Sequence, residues 1–225
     1  METGTDTQII VIAAVPEAAT PAPGLVTTGL TPPLSPGDAA VVAAAALADT
    51  LEVVAATPTA RRVLALDGAP GAWLPAGFNV ISQRGAGPGE RAAAAFADAH
   101  AALPRPMVLI GADTPQVTRG MLGDACASLE SGEADAVFGA AANGGFWLLG
   151  LRRPDRSLLA GVPMSEPGSG RVLLERLAGD GLRVALAPRL TAVSTFGAAE
   201  EVARQIPASR FAATFTASAS GLSMA

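Results

Sequence analysis

The stretch from Pro106 to Pro115, Pro-Met-Val-Leu-Ile-Gly-Ala-Asp-Thr-Pro, constrains the fold more than any other part of the chain. Met107 to Ile110 is an apolar run with no polar face, the pattern of a strand covered by helices on both sides. Gly111 lets the backbone turn, and Asp113 falls just past the strand's carboxyl end. Thr114 and Pro115 supply an N-cap and an N1 proline for a helix expected over about Pro115 to Glu130. In an open α/β sheet, ligands bind beyond the carboxyl ends of the strands, so Asp113 stands where chemistry is expected. A carboxylate there suits a divalent cation bridging to a diphosphate. The other reading of Asp113 is a helix cap.

The rest of the chain repeats the alternation. Gln8 to Ala14 reads as a first buried strand, followed by a long loop, Val15 to Ser35, rich in proline, threonine and glycine. Loops of that length in a compact domain are functional or disordered. Ser35-Pro36 opens a helix to about Leu51, and strands follow at Arg62–Leu66, ending at Asp67-Gly68, and at Phe78–Ser82. The Gly85-Ala-Gly-Pro-Gly-Glu-Arg91 loop matches neither the dinucleotide fingerprint nor the P-loop, and leads into a helix of about Glu90 to Leu103. After the central strand and its helix come a strand at Asp135–Gly139, a tight turn at Asn143-Gly144 and a returning strand at Phe146–Leu151. A short helix near Pro154–Ala160, a helix at about Gly168–Ala178, a strand at Leu182–Leu186 and a helix at about Ala198–Gln205 complete the series. The pattern predicts a single α/β domain over residues 1–206 with a mainly parallel sheet. Residues 207–225 are small and polar apart from Phe211, Phe215 and Leu222, and are expected to fray or to serve a homodimer contact.

Charge excludes some functions. Every basic residue is arginine and the first is Arg61, so residues 1–60 carry −6 and the remainder +1 within a net charge of −5. With no basic stripe to neutralise a phosphate backbone, nucleic-acid binding is not expected. The longest apolar stretch, Ala39 to Ala48, lies between Asp38 and Asp49 and falls short of the ~20 residues a membrane span needs. Glu2 and Asp6 precede any basic residue, unlike a secretory leader, so a cytoplasmic location without membrane contact is expected. Cys126 is the single cysteine and shares helical spacing with Leu122, Ala125 and Leu129, which makes it a core thiol. His100, also alone, lies near a helix end, where it favours the dipole.

Several segments together resemble the bacterial GT-A-like transferases of the radical-SAM/selenodomain-associated type, relatives of the nucleotide-diphospho-sugar transferases and molybdenum-cofactor guanylyltransferases. The matching stretches are Leu30-Thr-Pro-Pro-Leu-Ser-Pro36, Gly89-Glu-Arg91, Leu109-Ile-Gly-Ala-Asp-Thr-Pro115, Asn143-Gly-Gly-Phe146 with Leu149-Gly-Leu151, and Gly181-Leu-Arg-Val184, spread from about Ile9 to Arg204. The resemblance implies a GT-A fold with a nucleotide-activated donor over the N-terminal half of the sheet and a small acceptor over the C-terminal half. It makes Asp113 the metal-associated aspartate, for Mg²⁺ or Mn²⁺, and pairs it with Asn143 as the catalytic candidates. It also marks Gly89, Glu90 and Arg91 as a loop near the nucleotide, and Gly144, Gly145 and Phe146 as a turn lining the transfer site. Gly24, Thr27, Thr28, Asp67 and Arg84 complete the substrate-binding candidates. A plain helix start for Gly89-Glu-Arg91 and an ordinary hairpin for Asn143-Gly144 stay open beside these readings.

The departures matter as much. The family's first loop carries a Lys-Thr-Arg-Leu pattern, whereas this chain has Thr27-Thr-Gly-Leu30, without the cations that neutralise a diphosphate. Backbone N–H groups near Gly24 and Gly29 still offer an anion site without formal charge. Arg84 and Arg91 are the nearest replacement cations. Asn143 stands where the family has aspartate, and Ala192-Val-Ser-Thr-Phe196 where it has Asp-x-Asp-Thr-Pro. Two functions are therefore expected: a metal-assisted transferase of glycosyl or nucleotidyl groups, or a catalytically inactive relative that binds a ligand or a protein.

Overall fold

The computed structural model describes residues 5–15, 29–162, 164 and 168–222. Seven strands, β1 (Gln8–Ala14), β2 (Arg61–Asp67), β3 (Phe78–Ser82), β4 (Met107–Gly111), β5 (Ala136–Ala141), β6 (Phe146–Leu151) and β7 (Val184–Leu190), form one sheet in the order β3-β2-β1-β4-β6-β5-β7. All neighbours run parallel except β6, which is antiparallel to both β4 and β5. Seven helices accompany them: α1 (Pro36–Ala56), α2 (Pro88–Ala102), α3 (Arg119–Glu130), α4 (Arg156–Leu159), α5 (Ser169–Gly179), α6 (Phe196–Gln205) and α7 (Arg210–Leu222).

Strand alternation divides the core. Ile9, Val11, Leu64, Leu66, Val108 and Ile110 point to one face, against Leu47, Leu51 and Val54 of α1 and Leu122, Cys126 and Leu129 of α3. Ile10, Val63, Ala65, Met107 and Leu109 point to the other, against Phe96 of α2, Leu158 and Leu159 of α4, and Leu173 and Leu177 of α5. Neither face of the central strands meets water, which is why they read as continuous apolar runs. Cys126 is buried in α3, and burial, with Glu130 nearby, pushes its thiol up to about 12.

Three expectations change. The helix opened by Ser35, whose hydroxyl accepts from Asp38 N–H at 3.1 Å, runs for 21 residues to Ala56. It is therefore long and apolar enough to cross a membrane by length and composition, contrary to the estimate from Ala39–Ala48. Its apolar positions are instead shared between the sheet and the outer layer described below. Thr114-Pro115 does not open α3. Thr118 does, accepting from Met121 N–H at 3.2 Å. Residues 113–117 stay out of the helix because Val193 N–H donates to the Asp113 carbonyl at 2.7 Å and Gln116 Nε2 to the Thr191 carbonyl at 2.7 Å.

The third change is that the segment expected to fray or to serve a homodimer contact forms a helix, α7. It packs with α6 on the outer side of α1, where Phe211, Phe215, Val202, Val193, Leu30, Leu34 and Val42 form a third apolar cluster. Phe196 and Phe211 flank the Phe215 ring, with centroids 5.1 and 6.1 Å away. Asp49 on α1 accepts from Phe211 N–H at 2.7 Å, and Arg210 pairs with Glu52.

Candidate functional site

The parallel strands end along one edge, and most of the candidate residues lie there. Asp113 follows β4 within a loop held against the segment after β7. A methyl group at Gly111 would sit 2.5 Å from Asp113 Oδ1, so glycine at this position leaves room for the carboxylate to fold back over the strand end. Asp113 is partly exposed as a residue and has no ion-pair partner among the described residues. Burial of its carboxyl raises its pKa above the usual aspartate value, and only its own backbone N–H opposes the shift. An unpaired carboxylate in a desolvated setting is costly, which fits a site completed by a cation. Gly111→Ala is expected to displace the carboxylate and weaken any metal-dependent ligand binding at least tenfold. Thermal unfolding should change little, because the clash is with a movable side chain; undiminished binding by calorimetry would contradict this placement.

Beside Asp113, the β5–β6 turn and the segment after β7 meet. Asn143 Oδ1 accepts from Gly145 N–H at 3.1 Å and its Nδ2 donates to Ser194 Oγ at 3.3 Å. The second, a neutral hydrogen bond, ties the β5–β6 turn to the segment after β7. A side chain at Gly29 would overlap the Ser194 carbonyl, so the described end of the first loop also closes on this segment. Gly144 and Gly145 contact the start of α5, and Phe146 opens β6 with its ring 6.1 Å from that of Phe138.

A second group lies at the end of β2. Arg91, in the first turn of α2, pairs with Asp67 at 2.7 Å and reaches the Gly85 carbonyl. Gln83, which the sequence did not single out, ties the strand ends together by donating to the carbonyls of Ala13 and Ala65 at 2.6 and 3.0 Å. Because β1 alone separates β2 from β4, the two groups are about 10 Å apart across the strand ends. Other candidates are engaged locally. Glu90 accepts from Ala86 N–H at 2.8 Å as a helix start does, and buried Gly89 lets α2 approach the Leu159 carbonyl. Arg84 pairs with Asp98. Gly24, Thr27 and Thr28 lie outside the described residues. Among the described residues no three His, Cys, Asp or Glu side chains converge.

Comparison with known proteins agrees with this architecture. A family model described as "Uncharacterized protein conserved in bacteria (DUF2064)" matches residues 41–166. The chain belongs to this family. The DUF2064 match runs from α1 through β4 and Asp113 to the loop after α4. No curated protein matches. Among solved structures, one from Desulfovibrio desulfuricans G20, provisionally named a nucleotide-diphospho-sugar transferase, superposes with a TM-score of 0.84 over 98% of both chains at 21% identity. Rv0371c of Mycobacterium tuberculosis H37Rv, in complex with manganese, gives 0.52 over 87% of this chain and 96% of its own at 16% identity. A CMP:2-keto-3-deoxy-manno-octonic acid synthetase complexed with CTP gives 0.53 over 88% and 96% at 12% identity. At these identities the likeness is one of fold, and this DUF2064 protein has the GT-A-like α/β architecture that the sequence predicted.

Proposed function

We propose that the protein is a transferase that moves a glycosyl or nucleotidyl group from a nucleotide-activated donor to a small acceptor, with a divalent cation at Asp113. The observation that carries this reading is the Asp113 carboxylate: desolvated, without a cationic partner among the described residues, and placed at the end of β4, about 10 Å across β1 from the Asp67–Arg91 pair. The manganese complex of Rv0371c and the CTP complex of the synthetase, on the same fold, support a nucleotide and a metal as its ligands.

The residues present fit Mg²⁺ or Mn²⁺ held by one protein carboxylate, with phosphate oxygens and water as its other ligands. When bound, such a cation offsets charge on the donor's diphosphate and stabilises the leaving phosphate. Gly111 and the Val193–Asp113 backbone bond fix where the carboxylate stands. Arg91 offers a guanidinium to the donor's phosphates from across β1, since its ion pair with Asp67 is half-exposed and exchangeable. The Asn143 amide does not take up a proton at neutral pH, so it cannot deprotonate the acceptor hydroxyl, and its role is to position the turn and Ser194. Rate enhancement then rests on positioning and charge stabilisation.

Calorimetric titration with nucleoside diphosphates, diphospho-sugars and triphosphates, with and without Mn²⁺, tests this reading. One nucleotide class is expected to bind only with metal, and Asp113→Ala to abolish that binding. Unchanged affinity in the variant, or no binding by the wild type, would overturn it in favour of an inactive relative that binds another ligand or a protein.

A further inference from the structure

The first turn of α5 is built on glycine at the same edge of the sheet. Gly168 caps the 11-residue helix with φ 92°, and no side chain caps it. A side chain at Gly170 would overlap the Gly145 carbonyl, so glycine here lets the helix start dock directly on the β5–β6 turn. Gly168 and Gly170 N–H both donate to the Gly144 carbonyl, at 3.2 and 3.0 Å. Between these glycines Ser169 is fully buried, and its Oγ has no hydrogen-bond partner among the described residues. That oxygen faces the turn: a Cβ on Gly145 would lie 3.7 Å from it. A buried hydroxyl left unpaired is costly, and a ligand oxygen at this point removes the cost.

Electrostatics define the ligand. The amino end of a helix carries positive dipole charge that favours an oxyanion, and here the Gly168 and Gly170 N–H groups are already taken by the Gly144 carbonyl. The first turn of α5 contains no acidic residue, and Arg171 follows directly, its guanidinium exposed and paired only across one helical turn with exposed Glu175. Such a pair is weak enough to exchange for a phosphate. The donor-side residues Asp113, Asp67 and Arg91 use none of these groups.

We infer that the first turn of α5, with Ser169 Oγ and the Arg171 guanidinium beside the Gly144-Gly145 turn, is a phosphate subsite, and that the acceptor is a small molecule carrying a phosphate. The assignment to the acceptor rests on the transferase reading above; the phosphate site itself does not. The test is titration of the metal-free, nucleotide-free protein with inorganic phosphate, followed by backbone amide resonances, in the wild type and in Asp113→Ala. Saturable shifts confined to Gly144, Gly145 and residues 168–171 are expected in both proteins. Ser169→Ala should weaken phosphate binding about tenfold, Arg171→Glu should remove saturation, and acetate should not compete. No saturable shift in the wild type, shifts elsewhere, equal affinity in Ser169→Ala, or acetate saturating at the same concentration would each overturn the assignment. Because Asp113→Ala keeps this site, lost nucleotide binding and lost phosphate binding are separate outcomes.

Discussion

Replacing Phe211 with alanine is expected to destabilise the protein by about 3–5 kcal/mol, the range for deleting a buried phenyl ring. Phe211 is fully buried although it lies in the last helix of the described chain. Its ring joins Phe215 and Phe196 in the cluster that covers the outer side of α1 with Leu30, Leu34 and Val42. The other side of α1 packs on the sheet through Leu47, Leu51 and Val54, so a cavity beneath α7 loosens the helix that carries both layers. The backbone bond from Phe211 N–H to Asp49 survives the substitution, so the loss is that of the ring's packing. Urea unfolding of the wild type and Phe211→Ala measures the difference. A midpoint unchanged within error would show that α7 is an appendage and that the domain is complete by Gln205.

The missed helix shows where sequence reasoning met its limit. Strands β1 and β4 were legible because burial on both faces leaves them almost wholly apolar. Helix α7 has two aromatic residues one turn apart among alanine, serine and threonine, whose small side chains give a weak apolar stripe. The signal that was present is Ser209, whose hydroxyl accepts from Ala212 N–H at 3.0 Å. At Asp113 the local pattern misled in a different way. Thr114-Pro115 has good capping chemistry, but contacts with residues near 191–193, far along the chain, hold that segment open until Thr118. No local rule reports such contacts. The same holds for the Asn143–Ser194 hydrogen bond, which spans 51 residues. Ser169 carried no signal at all, since an unpaired hydroxyl becomes visible only when burial is known.

Asp113→Asn is expected to separate stability from binding. Burial raises the Asp113 pKa, so the folded protein holds this proton more tightly than the unfolded chain. The stability linked to that proton is fully present below the unfolded aspartate value of about 3.9 and is lost as pH rises through the raised folded value. At neutral pH the metal-free wild type therefore carries the cost of an unpaired desolvated carboxylate, and asparagine of the same shape does not. The variant should be the more stable protein at pH 7 in the presence of a chelator, with the gap closing near pH 3.5. Saturating Mn²⁺ and nucleotide should reverse the order. At a ligand concentration one hundred times Kd, binding stabilises the wild type by about 2.7 kcal/mol and leaves the variant unchanged. Thermal unfolding at the two pH values, with and without ligands, reads all of these differences. Equal stability of the two proteins at pH 7 would show that the carboxylate is already compensated, and equal stabilisation by ligand would place the cation elsewhere. Opposite signs in the two conditions would mean that the fold accepts a local loss of stability at Asp113 because the bound cation restores it.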